Sequence, residues 1–295
     1  MRSLRQSDML PHPFSYHRPE SLDEAFELFD RYDGDATFYA GGTELLLALK
    51  ARVLRYGHLI DLKRIPGLSS VREEGEHVVI GALSSHHRLS TDPVVRRHLP
   101  AYAALSDNVA NIRVRVSGTI GGNLCFAEPH ADPPALLAAM GASVVLQSGE
   151  AYRQIAVGEF IESEFTTARA DREIMTEIRV PRPPADAKFV FKSFGHLERP
   201  AVSVAAGYCP SEQGERFRLW VGAIAERPLR LVDVERALDE AGSAELEDVL
   251  ETAAARAAEE LPALSDLHGG ADYKRALAQT FICRAVRELI MRERP

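Results

Sequence analysis

Only three of the 295 residues are cysteine, Cys125, Cys209 and Cys283, and they lie far apart. No two have the spacing of a zinc-ligand pair or a disulfide framework. An iron–sulfur cluster takes about four thiolates, so this chain builds none alone; reduced, partly buried thiols of a cytoplasmic protein are expected. Basic charge is also scarce, with 35 Lys and Arg against 43 Asp and Glu and a net charge of -8. That balance disfavours nucleic-acid binding, which usually needs a basic face. No stretch approaches the roughly 20 apolar residues of a transmembrane helix, so no membrane insertion is expected. Residues 1–17 mix Arg, Asp, Pro and His without the apolar run of a signal peptide. No glycine motif reads GxGxxG, and none continues into GK[ST], so a Rossmann dinucleotide site and a P-loop are both disfavoured.

What is present is an ordinary globular composition, 45% hydrophobic and 26% charged, at a length that suits one large domain or two ordinary ones. Ser21-Leu22-Asp23-Glu24 is a capping box opening an amphipathic helix. Thr37-Phe38-Tyr39-Ala40 reads as a strand, Gly41-Gly42-Thr43 as a turn, and residues 44–50 as a helix that Thr43 could cap. Strands are expected at 59–62, 77–81, 143–146 and 173–178. Residues 88–110 read as helical, with Pro93 and Pro100 at helix starts, residues 113–123 as loop-rich, and residues 134–140 as a helix closed by Gly141. Consecutive prolines at 181–184 mark the best boundary. Beyond it come three strand-like runs, at 188–194, 201–208 and 216–224. Helices follow, including 243–261 and 272–292, each with an apolar face.

Two segments carry chemistry. In Tyr39-Ala40-Gly41-Gly42-Thr43-Glu44-Leu45, adjacent glycines let a ligand approach the backbone, and a helix start leaves amides unpaired where an anion is favoured. Gly118-Thr119-Ile120-Gly121-Gly122-Asn123 offers the same two properties. Taken singly, either could be a tight turn with no ligand; together they point to a dinucleotide diphosphate site.

At this point the sequence resembles a known family. Phe14-Ser15-Tyr16 through Pro19, Ala40-Gly41-Gly42-Thr43-Glu44-Leu45, Leu59-Ile60-Asp61-Leu62, Ile80-Gly81-Ala82 and Thr119-Ile120-Gly121-Gly122-Asn123-Leu124, followed by Pro129 and Asp132, are similar to the FAD-binding domain of molybdopterin dehydrogenases, the xanthine dehydrogenase and carbon monoxide dehydrogenase family. Gly222-Ala223-Ile224 with Pro228 and Arg230, Tyr273-Lys274-Arg275 and Arg284-Ala285 resemble its C-terminal flavoprotein domain. The resemblance implies an α+β fold. A two-part FAD-binding domain of the vanillyl-alcohol oxidase/PCMH-like type would span 1–182, in lobes of about 1–60 and 61–182. A small-sheet and three-helix domain would span 185–295.

It further implies an FAD-carrying medium subunit of a molybdenum hydroxylase, an oxidoreductase in which FAD passes electrons to NAD, a quinone or oxygen. The molybdenum cofactor and the 2Fe–2S clusters would belong to a large and a small partner chain, assembled as a dimer of heterotrimers. The cofactor-binding residues it implies are Phe38, Tyr39, Ala40, Gly41, Gly42, Thr43, Glu44 and Leu45; Gly118, Thr119, Ile120, Gly121, Gly122 and Asn123; and Asp132, Met175 and Lys192. No side chain is assigned as a catalytic acid, base or nucleophile. A stand-alone NAD(P)H-dependent flavin reductase and a flavin-free assembly protein of the same fold are the alternative readings.

Plainer readings stand beside these. Glu44 could complement a helix start, Asp132 could cap the helix at Pro133-Pro134, and Lys192 could be a solvated strand residue. His86-His87 on an extended strand would point opposite ways and be surface histidines, and Trp220 reads as core. His196, Arg199 and Pro200 depart from the family pattern, and Glu128 is assigned no role.

Overall fold

A computed structural model describes residues 12–196, 199–210, 216–242 and 244–291. Residues 1–11, the helix start expected at Ser243 and the helix end expected at Arg292 lie outside them. Among the described residues there are four sheets, three of them larger and each with its own core.

The first is a parallel sheet in the order β1-β3-β2, made of β1 (Ser15–His17), β2 (Ala36–Tyr39) and β3 (His58–Asp61). Helix α1 (Leu22–Arg31) packs on it through Ala25 and Phe26, against Phe38 and Ile60. Its start follows the capping-box expectation, with Ser21 Oγ accepting from the Glu24 amide at 3.1 Å. Between β2 and β3 lies the short helix α2 (Leu45–Lys50).

The second sheet is antiparallel, in the order β4-β5-β10-β6-β7. Its strands are β4 (Val71–Glu74), β5 (His77–Gly81), β6 (Ser143–Ser148), β7 (Ala151–Ala156) and β10 (Ile174–Pro181). Short helices cover one face: α3 (His86–Thr91), α4 (Pro93–His98), α5 (Pro100–Asn108), α6 (Ile112–Ser117), α7 (Ile120–Phe126), α8 (Pro133–Ala139) and α9 (Val157–Phe160). Pro93 and Pro100 sit at first helical positions as expected. A two-stranded ribbon, β8 (Ile161–Ser163) and β9 (Thr166–Thr167), follows α9. The loop-rich expectation for 113–123 is corrected: two helices, α6 and α7, occupy it. Asn111 Oδ1 caps the first by accepting from the Arg113 and Val114 amides, and Thr119 Oγ1 caps the second by accepting from Gly122. Arg113-Val114-Arg115-Val116 alternates like a strand but has no strand to pair with, and the Asn111 cap decides for helix.

The third sheet is antiparallel, β11 (Lys188–His196), β12 (Arg199–Tyr208), β13 (Phe217–Gly222) and β14 (Leu229–Arg230), in that order. Behind it lie α10 (Val232–Glu240), α11 (Leu246–Glu260) and α12 (Ala271–Met291). Strand β12 is buried from Pro200 to Gly207 and is rich in small apolar residues there, because both of its faces are covered. Val202, Val204 and Ala206 point into the helix core, while Ala205 points into the core of the second sheet. Helix α8 is the element wedged between them; a Cβ built on Gly222 would lie 3.6 Å from Ala135 Cβ. Trp220, on the same face as Ala205, lies against Gly158, where a Cβ would come within 2.3 Å of the indole. That agrees with reading it as a core residue.

All three cysteines are free. No helix among the described residues is long and apolar enough to cross a membrane.

Leu136, fully buried at the centre of α8, lies in the core of the second sheet, on a helix that also packs against β12 and β13 of the third. Leu136→Ala should cost about 2–5 kcal/mol. The cost should appear in urea unfolding as one shifted transition rather than as early loss of the C-terminal part alone.

Candidate functional site

The two glycine turns meet. Gly41 lies so close to the second turn that a Cβ there would stand 2.2 Å from the Ser117 carbonyl oxygen and 2.9 Å from Gly118 Cα. No side chain fits in that gap, which is why residue 41 is glycine. Gly42 has φ +71°, and a Cβ on it would strike the Tyr39 hydroxyl at 2.4 Å. Gly121 packs against Ala82 with 2.6 Å to where its Cβ would be. Gly41 thus serves the contact of one main chain with another, Gly121 the close approach to Ala82, and the cavity follows from this packing.

That cavity, about 660 Å³, is walled by both turns, by Val109, Ala110 and Val114, by Met175, and by Glu128 and His130 to Pro133. Its volume falls in the range of cofactor sites, about 300–1,000 Å³. Of the residues expected at the site, Phe38 to Leu45, Gly118, Thr119, Gly121, Gly122, Asn123, Asp132 and Met175 all line it. Two do not. Ile120 is fully buried, its side chain in the core of the second sheet. Lys192 is outside the lining, and its ammonium pairs with Glu288 on α12. A larger groove of about 840 Å³ lies between α10 and α11, but none of the unpartnered buried polar atoms among the described residues is in it.

The turns differ in what they leave free. Among the described residues no acceptor meets the backbone amides of Gly41, Gly42, Thr43 or Glu44. The position before α2 is Glu44, which makes no side-chain cap bond, so the expected Thr43 cap is absent. In the second turn the expectation of free amides is corrected. Gly118 donates to Val114, Ile120 to Ser84, Gly121 to Ala82, Gly122 to Thr119 Oγ1 and Asn123 to Thr119. These bonds seat α7 on the second sheet. What the second turn presents instead is small backbone surface and the Asn123 side chain, whose Oδ1 is buried without a partner.

Asp132 completes the polar wall. It stands at the start of α8, yet its side chain makes no capping bond, and Oδ1 is buried and unpartnered. Burial, reinforced by the nearby Glu128 charge, pushes its pKa up to about 7. His86 was missed by sequence reasoning. Ser85 caps α3, so His86 and His87 open a helix rather than lie on a strand; His87 is exposed but His86 is buried. Its Nδ1 has no partner, and burial pulls its pKa down to about 4. The Ser85 cap three residues before Arg88 was the available signal. Among the described residues no cluster of His, Cys, Asp or Glu is arranged to hold a metal ion.

At the rim, Arg199 reaches Glu128 Oε1 at 3.5 Å and Glu44 Oε2 at 3.8 Å. Glu128 also lies 2.9 Å from His130 Nδ1, and His130 Nε2 lies 2.9 Å from Asp266 Oδ2. Asp266 is held in turn by buried Lys274 at 2.5 Å, which also donates to the Ala223 carbonyl at 3.2 Å. Burial opposes protonation of His130, but its bonds to Glu128 and Asp266 outweigh that and raise its pKa.

A histidine whose pKa is raised by folding stabilises the fold below its unfolded value, about 6.5, and loses that contribution as pH climbs through the raised value. His130→Asn should therefore lower the melting temperature more at pH 6 than at pH 9, in paired thermal melts. An equal loss at both would show that the bridge carries no imidazolium.

Residues 12–183 match the family described as the FAD binding domain in molybdopterin dehydrogenase, and residues 200–289 match the CO dehydrogenase flavoprotein C-terminal domain. The chain is 34% identical over 284 residues to the carbon monoxide dehydrogenase medium chain of Hydrogenophaga pseudoflava, covering 94% of this chain and 97% of that one. It is 29% identical to the glyceraldehyde dehydrogenase medium chain of Sulfolobus acidocaldarius, covering 95% and 100%. Among solved structures, carbon monoxide dehydrogenase from Hydrogenophaga pseudoflava superposes with a TM-score of 0.90 at 33% identity, over 96% of this chain and 99% of that one. Quinoline 2-oxidoreductase from Pseudomonas putida 86 superposes at 0.87 with 30% identity, over 95% and 98%.

Proposed function

The chain belongs to the family of FAD-binding medium subunits of molybdenum hydroxylases, and we propose that it is the flavin-bearing link of a three-chain oxidoreductase. A large partner with a molybdenum cofactor would oxidise the substrate, and a small partner with 2Fe–2S clusters would relay the electrons. The whole would be a dimer of heterotrimers in the cytoplasm. FAD, when bound, supplies the redox chemistry by which electrons leave the iron–sulfur partner for NAD, a quinone or oxygen.

One observation carries the placement of the cofactor. The buried polar atoms Asn123 Oδ1, Asp132 Oδ1 and His86 Nδ1 lack partners, and all three residues line the cavity that the free amides of Gly41 to Glu44 also line. An unmet buried polar group costs about 1–3 kcal/mol, so such a set around one cavity supports a polar ligand there. The chain's residues would divide the work. The first turn holds the diphosphate through its amides. Thr43 and Thr119 add hydroxyls, and Asn123 adds its amide. Asp132 accepts from a cofactor hydroxyl, and Met175 covers an apolar face. Lys192, off the cavity and paired with Glu288, is assigned no contact. No residue of this chain has to donate or abstract a proton for the cofactor to be held.

Gly42→Leu and Gly122→Leu should abolish FAD retention while far-UV circular dichroism stays unchanged. Asp132→Ala should weaken FAD binding by roughly 10- to 100-fold. Full flavin occupancy in all three variants would remove the diphosphate from these turns. A native preparation free of molybdenum and iron–sulfur chains would sink the three-chain reading in favour of a stand-alone flavin reductase.

A further inference from the structure

Asp61 is fully buried. A buried carboxylate is costly unless its oxygens are met, and here they are. The Tyr16 hydroxyl donates to Oδ2, the Lys63 amide donates to Oδ1 at 3.1 Å, and the Lys63 ammonium lies 2.8 Å from Oδ1. Arg18 Nε stands 3.7 Å from Oδ2. The cluster pins one end of the Lys63 side chain's reach. Its ammonium also donates to the Ala40 carbonyl at 2.9 Å and sits 4.1 Å from the centre of the Tyr39 ring. Lys63 does not line the cofactor cavity, whereas Ala40 and Gly41 do.

The peptide between Ala40 and Gly41 is planar and trans. In a trans peptide the carbonyl and the following N–H point in opposite directions. Drawing the Ala40 oxygen toward Lys63, behind the turn, therefore turns the Gly41 N–H the other way, and that amide has no acceptor within the described residues. The orientation of this peptide is set by ψ of Ala40 and φ of Gly41, and glycine at 41 leaves that rotation sterically open, so something must select this orientation.

We propose that Lys63 is a positioning residue for the cofactor: anchored on buried Asp61, it fixes the orientation of the Ala40–Gly41 peptide and so presents the Gly41 amide to the diphosphate. This rests on the placement of the diphosphate at the first turn, argued above. Lys63 acts from behind the backbone and touches no part of the ligand. Asp61 and Tyr16 act one step further back, as the anchor. The family-like strings Phe14-Ser15-Tyr16 and Leu59-Ile60-Asp61-Leu62 thereby acquire a shared physical task, since their polar members meet at one carboxylate.

The test is the rate of FAD release from the full-length chain, followed by the recovery of free flavin fluorescence. It compares the wild type with Lys63→Met, which removes donor and charge, and Lys63→Gln, which restores a neutral donor. Each is measured at about 0.05 M and about 0.5 M salt, the higher value screening charges beyond a few ångströms. Lys63→Met should release FAD roughly 10- to 100-fold faster at both salt concentrations. The phosphorus-31 resonances of its bound FAD should be displaced while the flavin absorption bands stay in place. Lys63→Gln should recover most of the slow release.

Wild-type release in Lys63→Met would overturn the proposal. So would a defect that vanishes at high salt, which would mean plain charge attraction. Unmoved phosphorus resonances, or a Gln variant as fast as Met, would overturn it as well. A wild-type chain that retains no FAD would instead strike the cofactor placement itself, whatever the variants do.

Discussion

A carbonyl oxygen, that of Ser117, stands 2.2 Å from the point where a side chain on Gly41 would begin. This approach of one main chain to another joins the parallel lobe to the antiparallel one. The two lobes have separate cores, one built on Phe26 and Ile60 and the other on Ile80, Leu124 and Leu136. The cavity lies where they touch. Each turn is tied to its own lobe, the first through Lys63 and Ala40 and the second through Ser84 and Ala82. The gap between them is therefore set by two rigid sheets rather than by a mobile loop. Preorganisation of this kind lowers the entropic cost of holding a long dinucleotide.

The turns also solve different problems. In the second, the amides are used inside the protein to start α7 and hold it to the second sheet. In the first they are left unpaired, and a short helix follows without a side-chain cap. A helix start lacking a cap sacrifices about 0.5–2 kcal/mol. That cost becomes intelligible if the missing acceptor is the cofactor's own anion.

Much of this was visible in the sequence, for identifiable reasons. Glycine pairs beside Thr43 and Asn123 stand out because glycine's backbone freedom is so unlike that of its neighbours. The capping box at Ser21, the prolines at 93 and 100 and the Gly141 stop (φ +71°) are local signals, and each fell where expected. Local signals also misled. The glycines of residues 113–123 read as loop-rich yet the segment is largely helical, and His86 reads as one of two surface histidines yet lies buried against Gly118. Strand β7 has a largely exposed, polar sequence and carried no strand reading, because it is an edge strand whose one strand partner is β6. Contacts between residues distant in sequence left no local trace. Lys63 beneath Ala40, Arg199 between Glu44 and Glu128, and His130 against Asp266 all required the fold.

The His130 bridge has a temporal consequence. It spans 136 positions of sequence, and its far side, Asp266, is steadied by Lys274 near the start of the final helix. During synthesis the glycine turns and their sheets emerge long before either residue does. The bridge beside the cavity can form only once the tail has been made and docked. If the nucleotide sits as proposed, the bridge beside it is thus completed only after synthesis, and a tail grafted from a relative must bring an anion at position 266 and a cation at position 274 together or leave the imidazole without its second carboxylate.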